Sequence, residues 1–372
     1  MKRYLTVLVC GLCLLGAVAA RAADTDSLAQ MVTMIREGDE DALGAALKPL
    51  SLKTGIDAPD AQGRTLLDHA LCAAPAYNAA DVVNLLLANG ARAAGQPGSP
   101  VHLAALLVTQ APLPDVQAAL AALRGGEWNA PFVNGMSPWL WAAALGGDPA
   151  CVAILVQAGA DAAQCIMDGE HAPDKVRENA MTLMARYNAN PAMVQALKAQ
   201  GLDVNAAGEG GTPLIYAARG RNPAMIEALL AAGADARATG PVGETVFTVA
   251  AAWADVPLLQ KLVAAGADPR AVMDGGSDAL YQAASDNIRV DVLRYLVSLG
   301  LDATSQLDEN YDGLTPLMLA VRRNQNPQVI RCLLELGAKP GLRDADGKTA
   351  LQGASPERLA WLRQQGLEAL LR

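Results

Sequence analysis

The chain has 372 residues, of which 52% are hydrophobic, 4% aromatic and 18% charged. That composition supplies ample apolar surface for a core and is unlike that of a disordered chain. With 29 basic against 38 acidic residues, there is no cationic excess for phosphate backbones or anionic lipid, which argues against nucleic acid and membrane surfaces as partners. A protein partner is expected instead, and on net charge a basic one is electrostatically easier.

Lys2 and Arg3 precede an apolar run from Leu5 to Leu15, and Ala20-Arg21-Ala22 closes it with small residues. This is the three-part layout of a secretory signal over residues 1–22. The run is shorter than the roughly 20 residues that span a bilayer, so cleavage near Ala23 and a periplasmic or secreted product without a membrane anchor are expected. Removing Lys2, Arg3 and Arg21 would leave 26 basic against 38 acidic residues, a net of -12. Cys10 and Cys13 follow Val9 and Leu12 rather than a small residue, unlike a lipid-anchoring cysteine. Cys72, Cys151, Cys165 and Cys332 remain. They are too few for a disulfide scaffold and form no Cys-x-x-Cys pair, so free thiols are expected. Cys151 and Cys165 are the one close pair.

Within residues 23–55, Leu28, Met31, Val32 and Ile35, then Ala42, Leu43 and Leu47, predict a pair of amphipathic helices. From there a period takes over. Gly201, Gly233, Gly266, Gly300 and Gly337 are separated by 32, 33, 34 and 37 residues, and Gly90 and Gly159 by 69. Apolar residues stand seven and four positions before each, as in Ile226 and Leu229 before Gly233, which is one face of a helix stopped by a left-handed glycine. A second anchor lies upstream: Gly63-Arg-Thr-Leu-Leu, Ser99-Pro-Val-His-Leu-Ala, Gly135-Met-Ser-Pro-Trp, Gly211-Thr-Pro-Leu, Gly243-Glu-Thr-Val-Phe, Gly313-Leu-Thr-Pro-Leu and Gly347-Lys-Thr-Ala-Leu. Thr or Ser caps a helix and Pro fits its first turn. The repeated unit is therefore turn, helix, short loop, helix, glycine. Beyond it, residues 355–372 place Leu359, Leu362, Leu367 and Leu370 among charges and predict a closing helix.

Gly211-Thr-Pro-Leu-Ile-Tyr-Ala-Ala218 followed by Ala228-Leu-Leu-Ala-Ala-Gly-Ala-Asp235, with near copies at Gly313 to Ala320 and Leu333 to Ala338, resembles the ankyrin-repeat family. The resemblance implies an all-α solenoid of about nine helix-turn-helix units with β-turn tips over residues 56–354. The anchors are near Thr65, Ser99, Ser137, Met181, Thr212, Thr245, Asp278, Thr315 and Thr349. The end pieces at 23–55 and 355–372 would be capping helices, which repeats need because a repeat buries its apolar face only against a neighbour. Three departures stand out. The second unit, Ser99 to Gly126, lacks a Leu-Leu-x-x-Gly stop, the fourth lacks the Pro, and about 164–178 is extra and reads as an enlarged loop.

Chemistry has little to build with. Asp308-Glu-Asn310-Tyr-Asp312-Gly313 matches the start of a calcium loop, but Leu319 stands where the bidentate carboxylate is required, so a repeat turn is the better reading. Gly347-Lys348-Thr349 ends like a phosphate-binding loop, but lacks the correctly placed first glycine and a preceding strand. His69, His102 and His171 fall in different units, and only Asp168-Gly-Glu170-His171 near Asp174 forms a local cluster, which reads as a solvated loop. No catalytic residue, cofactor or metal is expected, and the reading is of a non-enzyme. The resemblance implies a monomeric, non-catalytic protein-binding module acting through its concave face, as an inhibitor or a protector. The alternative is an envelope hydrolase with its site in the enlarged loop or the groove, for which only the abundance of carboxylates speaks.

Carried over position by position, the resemblance points to the helix ends Arg219, Trp253, Asp286, Arg322 and Arg323 and to the turn residue Tyr311 as the partner-binding set. Arg64, Glu209, Glu244, Asp312, Leu314, Asp346 and Lys348 occupy the remaining turn positions. Trp253, in Ala-Ala-Ala-Trp253-Ala-Asp, is expected to be an exposed anchor, since Trp and Arg are the types that most often carry interface energy. Trp139 and Trp141 fall at Leu-like positions and are expected in the core.

Overall fold

A computed structural model describes residues 27–48, 56–74, 78–94, 97, 99–123, 130–132, 135–168, 172–308 and 312–372. The expected leader and Cys10 and Cys13 lie outside the described residues, as do His171 and Tyr311. The chain divides into two compact units, residues 1–202 and 203–372. Apart from one two-stranded ribbon, the described elements are helical.

In the first unit, α1 (27–37) and α2 (Glu40–Leu47) precede four helix pairs: α3 (Leu66–Ala73) with α4 (Ala79–Ala88), α5 (Pro100–Val108) with α6 (Leu113–Ala122), α7 (Pro138–Leu145) with α8 (Ala150–Gln157), and α9 (Ala180–Tyr187) with α10 (Ala192–Ala199). The helix starts follow from the anchors. Ser99 accepts a hydrogen bond from the His102 N–H and Ser137 from the Leu140 N–H, each ahead of a proline in the first turn. At the fourth unit the cap is Asn179, in a reciprocal box with Thr182, so the helix starts before the expected Met181. The second repeat, which lacks the Leu-Leu-x-x-Gly stop, nevertheless forms its second helix, α6. It ends at Leu123 in extended backbone rather than at a glycine.

Helix α7 is buried over its whole length, Trp139 and Trp141 included, because α5 and α9 flank it and α8 covers it. The indole N–H of Trp141 donates to the Leu71 carbonyl at 3.3 Å. Residues expected as an irregular enlarged loop instead carry an antiparallel ribbon, β1 (Cys165–Asp168) with β2 (Ala172–Asn179), whose register shifts twice. Its base is fixed to the preceding unit: Ile166 is buried over Gly135, and the Ser137 hydroxyl donates to Gln164.

In the second unit the pairs are α11 (Pro213–Arg219) with α12 (Pro223–Ala231), α13 (Val246–Ala251) with α14 (Val256–Ala264), α15 (Ala279–Asp286) with α16 (Val290–Ser298), and α17 (Pro316–Arg323) with α18 (Pro327–Glu335). The ninth anchor, Thr349, opens a turn rather than a first helix, and α19 (Pro356–Gln364) follows directly. First helices stack on first helices, and α14, α16 and α18 stack outside them. Each second helix closes in the same way. Gly233, at φ 96°, lets the Ala234 N–H reach the Leu229 carbonyl at 3.0 Å. A side chain at that angle would cost on the order of 1 kcal/mol. The equivalent bond follows Gly266, Gly300, Gly337 and Gly366 here, and Gly90, Gly159 and Gly201 in the first unit.

Two ladders tie successive repeats of the second unit together. At the turn tips, the N–H groups of Asp274, Asp308 and Ala345 donate to the carbonyls of Val242, Gly275 and Asp312 at 3.0, 3.2 and 2.9 Å. At the other end of the first helices, buried asparagines bridge backward. The Asn287 amide donates to the Ala251 and Ala254 carbonyls, both at 2.9 Å, and Asn324 to those of Ala284 and Asn287 at 3.0 and 2.9 Å. These are helix C-terminal carbonyls with no partner inside their own helix. At the chain end the Arg358 guanidinium takes over, donating to Ala320, Val321 and Asn324 while lying 3.7 Å from the Trp361 ring.

Candidate protein-binding site

The helix-end residues singled out in the sequence fall into two registers. Counted from the caps Thr212, Asp278 and Thr315 and from Thr245, Arg219 and Arg322 occupy one position, while Trp253, Asp286 and Arg323 occupy the next. The two registers do different work.

Arg219 and Arg322 are tied down. Arg219 donates to the Gly210 carbonyl at 2.8 Å and pairs with Glu244, a carboxylate 1% exposed that also accepts the Val242 N–H at 3.0 Å. Tyr216 lies under the guanidinium at 5.8 Å, its hydroxyl accepting the Gly210 N–H. Arg322 pairs in the same way with Asp344 at 2.7 Å, and that buried carboxylate accepts the Lys348 N–H at 2.8 Å. In both cases the last turn of a first helix is locked to the β-turn of the following repeat. At these two places buried carboxylates neutralise the guanidinium charge.

Trp253 is half-buried rather than fully exposed, and the reason is specific. Its repeat has Ala254 where the two following repeats have Asn287 and Asn324. The indole N–H supplies the missing rung, donating to the Ala218 carbonyl at 2.9 Å. The ring therefore stands at the edge of the ladder with its remaining surface open. Asp286 and Arg323 are exposed and, among the described residues, have no ion-pair partner. Tyr311 lies outside the described residues.

Two depressions flank the Trp253 ring. One, of about 300 Å³, is lined by Arg219, Arg221, Val242, Glu244 and Met273 among others. The other, of about 280 Å³, is lined by Glu227, Asp255, Lys261 and Arg289 among others. Val242 is 48% exposed, and Ile288, beside Arg289, is 62% exposed. Arg221 and Arg289 were not legible as site residues, since each follows the helix end by two or three positions and carries no motif. The one available signal is the stop after α11. The Asn222 N–H bonds to Ala217 and the Arg221 N–H to Ala218, a closure that places Arg221 at φ 52°, where glycine is the usual residue.

Elsewhere the chemistry is sparse. Among the described residues no group of three His, Cys, Asp or Glu side chains could hold a metal ion, and none of their helices is long and apolar enough to cross a membrane. Cys72, Cys151, Cys165 and Cys332 are not joined in disulfides. Burial, with Asp68 and Asp148 adding to it, pushes Cys72 and Cys151 up to about 11, which leaves them protonated and poor nucleophiles at neutral pH. Gly347-Lys348-Thr349 is accounted for by its turn, where Lys348 pairs with Asp346 at 3.0 Å.

The family described as "Ankyrin repeats (3 copies)" matches this sequence over residues 139–240 and 247–344. The chain belongs to the ankyrin-repeat family. A solved structure, that of the human ASB11 ankyrin repeat domain, is similar at 24% identity with a TM-score of 0.48, over 61% of this chain and 97% of that one. A comparison with curated proteins gives no match. Ankyrin repeats are protein-interaction scaffolds, and the Trp253 face has the residue types that such a role uses.

Proposed function

We propose that this ankyrin-repeat chain is an exported, monomeric, non-catalytic module that grips a protein partner with the first-helix ends and following loops of its second unit. The observation that carries the reading is the Trp253 ring, fixed by its N–H and standing between two open depressions. A large amphipathic ring held in place by the scaffold loses little freedom on binding, which is what makes such residues effective anchors. Binding of this kind suits an inhibitor or a protector of another envelope protein. Export is supported by Lys2-Arg3, the apolar run to Leu15 and Ala20-Arg21-Ala22.

Two experiments test the two halves of the proposal. Capture from a periplasmic extract, with the full chain and with Trp253→Ala as parallel baits, should yield a protein retained by the first and lost from the second. Equal retention by both baits would remove Trp253 from the binding face. For export, intact-mass analysis of the periplasmic fraction should find a chain beginning near Ala23, and a membrane-bound product that keeps Met1 would refute it.

A further inference from the structure

On each side of Trp253 one guanidinium is left without a side-chain partner among the described residues. In the first depression the one carboxylate, Glu244, is taken by Arg219, while Arg221 is exposed and, among the described residues, has no side-chain partner. In the second, Glu227 is paired with Lys261 at 2.6 Å, and Asp255 is used as a helix cap, accepting the Leu258 N–H at 3.0 Å. Arg289 is left exposed and likewise without a side-chain partner among the described residues. Each depression thus has its acids engaged and one guanidinium free, with the indole between them, in a chain whose net charge is -9.

The backbone at Arg221 adds an independent observation. Its φ of 52° is a left-handed conformation that a long side chain adopts at a cost and that glycine or asparagine adopts more easily. Backbone held at such a cost is found most often at binding and catalytic sites.

We infer that the occupant of this face is an extended acidic polypeptide segment, with carboxylates that meet Arg221 and Arg289 on either side of an apolar side chain laid against Trp253. The inference rests on the protein-binding reading above and names the partner's chemistry. It also reverses, at this face, the expectation from net charge that the partner is basic. The spacing is consistent with one short strand. Arg221 and Arg289 lie two repeats apart, about 16–20 Å at the usual helix-layer separation, and an extended chain covers that in about six residues at roughly 3.3 Å each. A guanidinium with five fixed donors is suited to carboxylate oxygens.

The test uses the full chain and a fluorescein-labelled probe peptide, Glu-Glu-Gly-Leu-Gly-Glu-Glu with blocked ends, read by fluorescence anisotropy. The same peptide with every Glu replaced by Gln should bind at least about tenfold more weakly. Arg221→Asn and Arg289→Gln should each weaken the acidic peptide by about three- to tenfold. Arg221→Asn should at the same time keep or raise the melting temperature, because asparagine tolerates the left-handed backbone. This separates lost binding from lost folding. Arg294→Gln, on the outer helix α16, should leave affinity unchanged. Equal binding of the Gln peptide, or unaltered affinity in both arginine variants, overturns the inference. So does a labelled single-stranded oligonucleotide that binds more tightly than the acidic peptide through the same arginines. If a captured partner depends on Trp253 while the acidic peptide does not bind, the partner's chemistry is misassigned and the binding face stands. If Trp253→Ala retains every partner, the binding face itself falls.

Discussion

The loop after α13 and the loops after α15 and α17 solve one problem with different residues. All three supply a donor to carbonyls in the last turn of the preceding first helix or in the loop just after it, where the helix's own ladder has run out. Asn287 and Asn324 do this with a small amide, 2% exposed in each case, that satisfies two carbonyls and presents nothing to solvent. Trp253 does it with an indole, which makes a single bond and leaves a ring face uncovered. The asparagine rungs serve only the stack, whereas the tryptophan rung adds an aromatic surface between two depressions. The proposed binding face thus includes a residue that is also structural, and mutation can separate the two roles.

The largest effect is expected at an asparagine. Asn287→Ala removes both donations and leaves the Ala251 and Ala254 carbonyls buried without the amide, which should cost about 3 kcal/mol in urea unfolding of the full chain. Partner capture by whatever remains folded should be unaltered. Trp253→Ala should cost less, about 2 kcal/mol, because the ring is only half-buried and the Ala218 carbonyl keeps the Arg221 N–H. Trp253→Phe keeps most of the ring and loses the N–H, so about 1 kcal/mol is expected together with near-normal partner binding. If Phe abolishes binding as fully as Ala does, the indole N–H has a partner of its own and the ladder bond is incidental.

The turns offer a smaller and pH-dependent contrast. In the second unit, arginines lock the turn carboxylates Glu244 and Asp344. In the first unit, the turn carboxylate Asp60 is held within its own turn, by the Gln62 and Arg64 N–H groups and the Arg64 guanidinium at 3.2 Å, and by His69 at 2.9 Å. Burial raises the Asp60 pKa, but the Arg64 N–H, the His69 ring, the Gln62 N–H and the Arg64 charge outweigh it and bring it down to about 2. Because the folded value lies below the unfolded one near 3.9, this carboxylate stabilises the fold above about pH 4, and the contribution is lost as pH falls through about 2. Asp60→Asn should flatten that part of the acid-unfolding curve. An unchanged curve would mean that the Asp60 contacts do not form in solution.

How much of this could be read in the sequence depended on how local each signal is. The second-helix stops were legible because Gly233 and its counterparts act on carbonyls only four or five residues earlier. The first-helix starts were legible wherever Ser or Thr precedes Pro, and misplaced by two residues at Asn179, which caps without a proline. The ribbon at 165–179 was not legible, since its pairing crosses a turn and its strands are short and charged. The sequence alone points to a fully exposed Trp253, because the acceptor of its indole, Ala218, lies 35 residues away, beyond any local pattern. The neutralisation of Arg219 and Arg322 was hidden for the same reason, as Glu244 and Asp344 belong to the following repeats.

On the proposed reading, Trp253 combines a replaceable rung with an irreplaceable surface. The double variant Trp253→Ala with Ala254→Asn separates the two, because it moves the rung back to the position held by Asn287 and Asn324. Its melting temperature should recover by several degrees relative to Trp253→Ala alone, with at least a tenfold loss of affinity for a captured partner relative to the unmodified chain. A double variant that regains both stability and affinity would contradict that reading, because the tryptophan would then be only a bulky substitute for asparagine.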